Sequence, residues 1–280
     1  MAAPPADVAS DPVCYGEVAV AGGRLPIAMA GAIDSGATPL ILLHGWTLDH
    51  RMWAPQVEGL AHSRFLVMPD RRGCGRATAP PDLAREAEDV IAIADFLGFE
   101  RFALLGLSQG AVTALDVARK FASRLTGVVV SGAPLPALVA RDEVLALDTY
   151  RQWAAAGDLA KLRADWAQHP LMQGRSPEVA ALLATMLADY DGRDLLVRSD
   201  PPGLPHEVLR ALAVPVLALV GEHDTPWRQA CARALCDVAP RAMHAVVPGA
   251  GHLANADNPA RFNALVAGFL KSCADPKKRA

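Results

Sequence analysis

The sequence lacks most of the features that mark specialised protein classes. It has no charge excess: 27 basic and 30 acidic residues leave a net charge of −3, which gives no electrostatic basis for binding nucleic acid. Its one basic run, Lys277-Lys278-Arg279, is expected to be a solvated tail. The five cysteines, Cys14, Cys74, Cys231, Cys236 and Cys273, are odd in number and form no CxxC pair. That excludes a disulfide framework and predicts free thiols in a reducing compartment. No His/Cys/Asp cluster has zinc-site spacing, so no metal is expected. No glycine-rich dinucleotide fingerprint follows a strand, so no cofactor is expected either. No uncharged apolar run reaches the roughly 18 residues that a membrane helix needs. The opening MAAPPADVASDPV has neither a basic n-region nor an apolar h-region. The expectation is a soluble, cytoplasmic protein without nucleic-acid or membrane partners.

What is present is core material. Hydrophobic residues make up 52% of the chain and charged residues 20%, a globular composition. Short apolar runs at residues 39–43, 64–68, 102–107, 125–130, 214–220 and 242–247 alternate with helical patterns near 53–61, 82–98, 109–122, 226–238 and 258–272. Buried strands alternating with helices imply βαβ units and a parallel sheet covered on both faces. Two β-like stretches within residues 16–30, around Gly22-Gly23, add an antiparallel hairpin. The expected fold is therefore α/β, with a mostly parallel eight-stranded sheet and helices on both faces.

One region breaks the alternation. Residues 135–205 contain no strand candidate, and Ala, Leu, Asp and Arg recur there at helical spacing. The segment follows the sixth strand, at the carboxyl end of the sheet, where such sheets bind ligands. It reads as a helical lid over a crevice; the plainer alternative is extra helices packed on the core. The expected organisation is a core of residues 1–134 and 206–280 with a cap of residues 135–205. Trp153, Trp166, Leu171 and Met172 of this segment suit an apolar pocket, although aromatic residues on helices are more often core.

Chemistry concentrates around Gly106-Leu107-Ser108-Gln109-Gly110. Alone, G-x-S-x-G is weak. Here a strand precedes it and a helix follows, the context of a nucleophile elbow, with Ser108 at its tip. The glycines suit a turn that approaches its neighbours too closely for a Cβ. A serine hydroxyl needs a base. His252, in the glycine-rich loop after the last strand, is the best placed of eight histidines. His44 follows a strand too, but its Gly45-Trp46 neighbours suggest another task. The acid that orients His252 should come from the loop after residues 216–220, which offers Asp224 and Glu222. Asp224 is favoured because it lies further beyond the strand end. The backbone N–H groups of Gln109 and Trp46 are the expected oxyanion donors, each such donor typically contributing ~3 kcal/mol to the transition state. The side chains of Gln109 and Trp46 are then expected to be free to shape the pocket.

With these segments the chain resembles the α/β-hydrolase fold superfamily, through His44-Gly45-Trp46, Asp70–Gly75, Gly106–Gly110, Gly221–Asp224 and Gly249–His252. Gly251-His252-Leu253-Ala254-Asn255 followed by Asn258-Pro259 is similar to the esterase, enol-lactonase and cofactor-free haloperoxidase branch; relatives often carry serine where Arg76 stands. The resemblance implies a serine hydrolase acting on a carboxylic ester or lactone, and a mainly structural turn at Asp70–Gly75. C–C bond cleavage in a β-diketone-type substrate and perhydrolysis use the same triad. A ligand-binding module with a vestigial triad is the alternative from another class.

Overall fold

The computed structural model describes residues 13–33 and 35–274. The amino-terminal stretch 1–12 and the basic run Lys277-Lys278-Arg279 lie outside the described residues. In chain order the elements are β1 (Val13–Val20), β2 (Gly23–Ala30), β3 (Leu40–Leu43), α1 (Ala54–Leu60), β4 (Leu66–Pro69), α2 (Glu86–Phe96), β5 (Phe102–Leu107), α3 (Gln109–Lys120) and β6 (Leu125–Ser131). Then follow α4 (Leu147–Ala156), α5 (Leu159–Trp166), α6 (Pro177–Asp189), α7 (His206–Arg210), β7 (Val216–Gly221), α8 (Pro226–Val238), β8 (Ala242–Val247), α9 (Ala254–Asp257) and α10 (Pro259–Ala274).

The strands form one eight-stranded sheet in the order β1-β2-β4-β3-β5-β6-β7-β8. Only the pairs β1/β2 and β2/β4 are antiparallel; from β4 to β8 every neighbour is parallel. All residues of β3, β4, β5 and β7 are buried, as expected of central strands covered on both faces. Successive residues then serve opposite cores. Leu104, Val128 and Val130 pack with Val90, Leu115 and Leu235 from α2, α3 and α8. Leu105 and Val129 pack with Leu60, Phe262 and Val266 from α1 and α10. The edge strand β8 keeps exposed positions, in keeping with its place beside water.

Boundaries shifted where local chemistry intervened. The helix expected from residue 82 starts at Glu86, because Asp82 accepts the N–H of Ala84 and tightens residues Leu83–Arg85 into a 3₁₀ turn. Between β6 and β7, helices α4 to α7 appear and no strand does. Among the described residues no helix is long and apolar enough to cross a membrane.

Candidate active site

Ser108 lies between β5 and α3 with φ 53° and ψ −115°, one of two non-glycine residues described with positive φ. Such a conformation costs on the order of 1–3 kcal/mol and persists only where its surroundings impose it. They do so here. The Ser108 N–H donates to Ser131 O at 2.8 Å, tying the elbow to the end of β6. A Cβ on Gly106 would collide with the Gly110 carbonyl, and one on Gly110 with the carbonyls of Leu43 and His44. Both motif glycines are thus required by close approach, as expected.

His252 and Asp224 meet on the same side of the sheet. Nδ1 of His252 lies 2.9 Å and 3.1 Å from the two Asp224 oxygens, and both residues are buried. Asp224 also accepts the N–H of Thr225 at 2.7 Å. Of the two candidate acids, Asp224 is the one on His252, while Glu222 is 53% exposed and accepts the N–H of Gly249. A glycine makes the pair possible. Gly132, just past β6 with φ +56°, would with a Cβ stand 2.7 Å from His252 Cε1 and 3.1 Å from Asp224 Oδ2. With Nδ1–H given to Asp224, Nε2 of His252 keeps its lone pair.

Ser108, His252, Trp46 and Gln109 line one cavity of about 840 Å³, which also takes in Trp166, Leu171 and Met172 from the 135–205 segment. Trp153 is not among its lining residues. Among the described residues no hydrogen bond joins Ser108 to His252; Ser108 Oγ instead faces Arg228 Nη1 at 3.5 Å. Catalytic hydrogen bonds are often long in free enzymes and tighten around substrate. Gln109 opens α3, so its N–H has no carbonyl partner within the helix and sits at the positive end of the helix dipole. The N–H of Trp46 also has no backbone acceptor among the described residues.

The side chains of those two residues are not free, contrary to the expectation from sequence. Gln109 Oε1 accepts from Arg71 Nη1 at 3.1 Å, and Trp46 Nε1 donates to Asp194 at 2.7 Å. Each is drawn into a buried network that a linear sequence does not display. Arg71 pairs bidentately with Glu86, which also accepts from Thr113, and donates to His44 O at 3.0 Å. His44 has both ring nitrogens committed: Nδ1 donates to Gly45 O at 2.8 Å and Nε2 accepts from the Arg71 N–H at 3.0 Å. Burial, then the nearby Arg71 charge, lowers its pKa to about 4. His44 is therefore a neutral brace for the loop that carries Trp46. Asp194 also accepts from Tyr190 OH at 2.6 Å, and burial raises its pKa despite both hydrogen bonds.

The Asp70–Gly75 turn is built as a brace as well. Asp70 accepts from His50 Nδ1 at 2.7 Å and from the Arg76 N–H at 3.0 Å; burial alone would raise its pKa, but these partners bring it to about 2. Arg72 pairs with buried Asp89. The ligand atoms of Asp49, His50 and Asp70 come within 4.8 Å of one another, a grouping hidden from sequence because Asp70 lies twenty residues on. Arg51 already neutralises Asp49, and His50 holds Asp70. The described hydrogen bonds thus engage all three side chains, with one another or with Arg51.

A family model matches residues 40–265, from the start of β3 into α10. The chain belongs to the alpha/beta hydrolase family. Among this family member's relatives is the putative carbamate hydrolase RutD of Shigella flexneri, 26% identical over 254 residues that span 84% of this chain and 92% of the relative. Solved structures of similar fold include the carboxylesterase CesB of Bacillus subtilis (TM-score 0.76, 24% identity, 92% and 91% of the two chains). The enol-lactonase of Burkholderia xenovorans is comparable (TM-score 0.75, 24% identity, 91% and 100%).

Sequence reasoning missed Gly132, Arg228, Asp194 and Glu143. Gly132 had a readable signal, a glycine one step beyond a strand end. The others act through contacts that only the fold creates.

Proposed function

We propose that the protein hydrolyses a carboxylic ester or lactone through an acyl-enzyme on Ser108. The observation that carries this reading is a strained serine elbow sharing one cavity with a buried His252–Asp224 pair. Ser108 Oγ attacks the substrate carbonyl and gives its proton to Nε2 of His252. The Asp224 carboxylate holds the imidazole tautomer and stabilises the imidazolium. The backbone N–H groups of Trp46 and Gln109 receive the oxyanion. As the tetrahedral intermediate collapses, the carbonyl carbon–oxygen bond to the leaving group breaks, and His252 protonates the departing alcohol. Water then attacks the acyl-enzyme, again with His252 as base, and releases the acid with Ser108 restored.

The cap of residues 135–205 acts in this reading as a lid over the core of residues 1–134 and 206–280. It is supported by Trp166, Leu171 and Met172 in the cavity wall and by the Trp46–Asp194 bond. The similarity to RutD, a putative carbamate hydrolase, keeps carbamates among the candidates, because the same attack suits a carbamate carbonyl. The test is turnover of a panel of activated esters, lactones and carbamates by wild type and Ser108→Ala, with fluorophosphonate labelling. The variant should lose at least about 10⁴-fold in kcat and all labelling. Undiminished turnover would end the proposal.

A further inference from the structure

Arg228 takes no part in the acyl transfer described above, yet it stands beside the nucleophile. It lies in the first turn of α8, whose cap, Thr225, directly follows Asp224. Its side chain is 2% exposed and lines the cavity with Ser108 and His252. Most of its donors are committed. Nε and Nη2 bind the two oxygens of Glu143 at 2.9 Å and 2.8 Å, and Nη1 gives one N–H to Gly132 O at 2.7 Å. The remaining Nη1 contact is the one to Ser108 Oγ at 3.5 Å, too long for a strong bond. A buried cationic donor is thus left nearly unused at the place where chemistry happens, and such a donor gains from a closer acceptor.

The charge around it narrows what it can accept. Glu143 is itself buried, with its side chain 4% exposed. Burial would raise its pKa, but hydrogen bonds from Arg228, Arg141 and Thr225 bring it to about 2, so it remains a carboxylate. Glu143 is shared by Arg228 and, at 3.2 Å, by the partly exposed Arg141, so the Arg228 charge is already paired, and a ligand carboxylate at Arg228 would meet the Glu143 charge. Towards Ser108 the site offers one directed N–H, on Nη1. The substrate's three groups around the scissile carbon then sort themselves. The carbonyl oxygen faces the Trp46 and Gln109 N–H groups, and the leaving oxygen must face His252. Only the acyl substituent is left to meet Arg228. An acceptor bonded to the first acyl carbon is two bonds from the carbon that Ser108 attacks, within the span set by the 3.5 Å contact.

We propose that Arg228 is a specificity residue that favours acyl groups carrying a neutral oxygen, such as an ether, hydroxyl or keto oxygen, on the carbon next to the scissile carbonyl. The inference rests on the acyl-transfer reading, and Pro134, Leu135 and Leu145 contribute apolar wall to the same cavity. A buried, directed donor discriminates well against analogues that lack its partner.

The test compares 4-nitrophenyl methoxyacetate with 4-nitrophenyl butanoate, which differ by an oxygen in place of a methylene. Each kcat/KM is divided by that ester's own rate of hydroxide hydrolysis, removing intrinsic reactivity. Wild type should favour the methoxyacetate by about tenfold or more. In the paired variant Arg228→Gln/Glu143→Gln, which removes both fully buried charges and leaves only the partly exposed Arg141 without its partner, that ratio should collapse towards one whatever the absolute rates. A corrected wild-type ratio near one overturns the proposal without any variant, so misfolding of the variant does not protect it. An unchanged ratio in a folded variant overturns it equally. Survival of both activities in Ser108→Ala would instead overturn the acyl-transfer reading.

Discussion

Two buried histidines each follow a parallel strand and approach the Ser108 elbow, and their surroundings give them opposite properties. His44 has both nitrogens bound to main chain, at Gly45 O and the Arg71 N–H, and its pKa is lowered to about 4. His252 has one nitrogen on Asp224, and its ring is part of the cavity wall. A histidine with two fixed partners has no lone pair to lend and is a structural strut. One with a carboxylate behind it and a cavity before it is equipped to move protons. The second nitrogen decides, and it is invisible in the sequence.

The sharpest way to break the comparison is to exchange the consequences. His252→Gln should lower kcat by about 10⁴-fold or more with little loss of stability, because the residue faces a cavity. Asp224→Asn should fall close behind, since an amide favours the wrong imidazole tautomer. Steady-state kinetics beside thermal melts checks both, and a drop below tenfold in either would remove His252 from the role of base.

His44 should show its effect in stability. Its folded-state pKa of about 4 lies below the ordinary 6.5. Between those values the unfolded chain binds a proton that the folded chain does not. The contribution of neutral His44 is therefore complete above pH 6.5 and is lost as pH falls towards 4, by up to about 1.4 kcal/mol per pH unit. Urea unfolding of wild type at pH 6.5 and pH 5 should show this fall, and His44→Asn should flatten it at a cost of about 1–3 kcal/mol at pH 6.5 from unpaired main-chain groups. An identical slope in both proteins would mean that His44 does not titrate as its burial implies.

The smallest effect belongs to the Trp46 loop, which His44 braces through main chain and Asp194 holds through the indole. Asp194→Asn exchanges an acceptor of two hydrogen bonds for a group that cannot accept both Trp46 Nε1 and Tyr190 OH at their present places. A loss of about 1 kcal/mol in stability and a few-fold fall in kcat are expected, with KM for small esters nearly unchanged. If kcat holds and only KM rises, Asp194 serves binding and the Trp46 loop keeps its place without it.

How far the sequence could be read follows the range of each interaction. Strands β5 and β8 and helix α8 fall at the boundaries expected from apolar runs and turn residues, because burial and capping act over a few neighbours. Ser108 and His252 were legible for the same reason: glycines around each announce turns beside strand ends. Asp224 is favoured over Glu222 for lying further beyond the strand end, though both sit in one loop; in the fold the Gly249 N–H claims Glu222 and His252 claims Asp224. Trp46 and Gln109 were placed by their main chains, while their side chains went to partners no local pattern indicates.

By itself, then, the sequence determined the alternation of strands and helices, the elbow at Ser108, the placing of an acidic loop and then His252 after later strands, and the helical character of residues 135–205. These depend on periodicity, turn chemistry and steric limits at glycines, all written in neighbouring residues. Only the tertiary structure decided which acid meets His252, that His44 is held neutral, and that Arg228 and Glu143, 85 residues apart, form a buried pair beside Ser108. Those outcomes depend on burial and on which charges the folded chain brings within hydrogen-bond distance. An ion pair or a lowered pKa exists only once water has been excluded from around it.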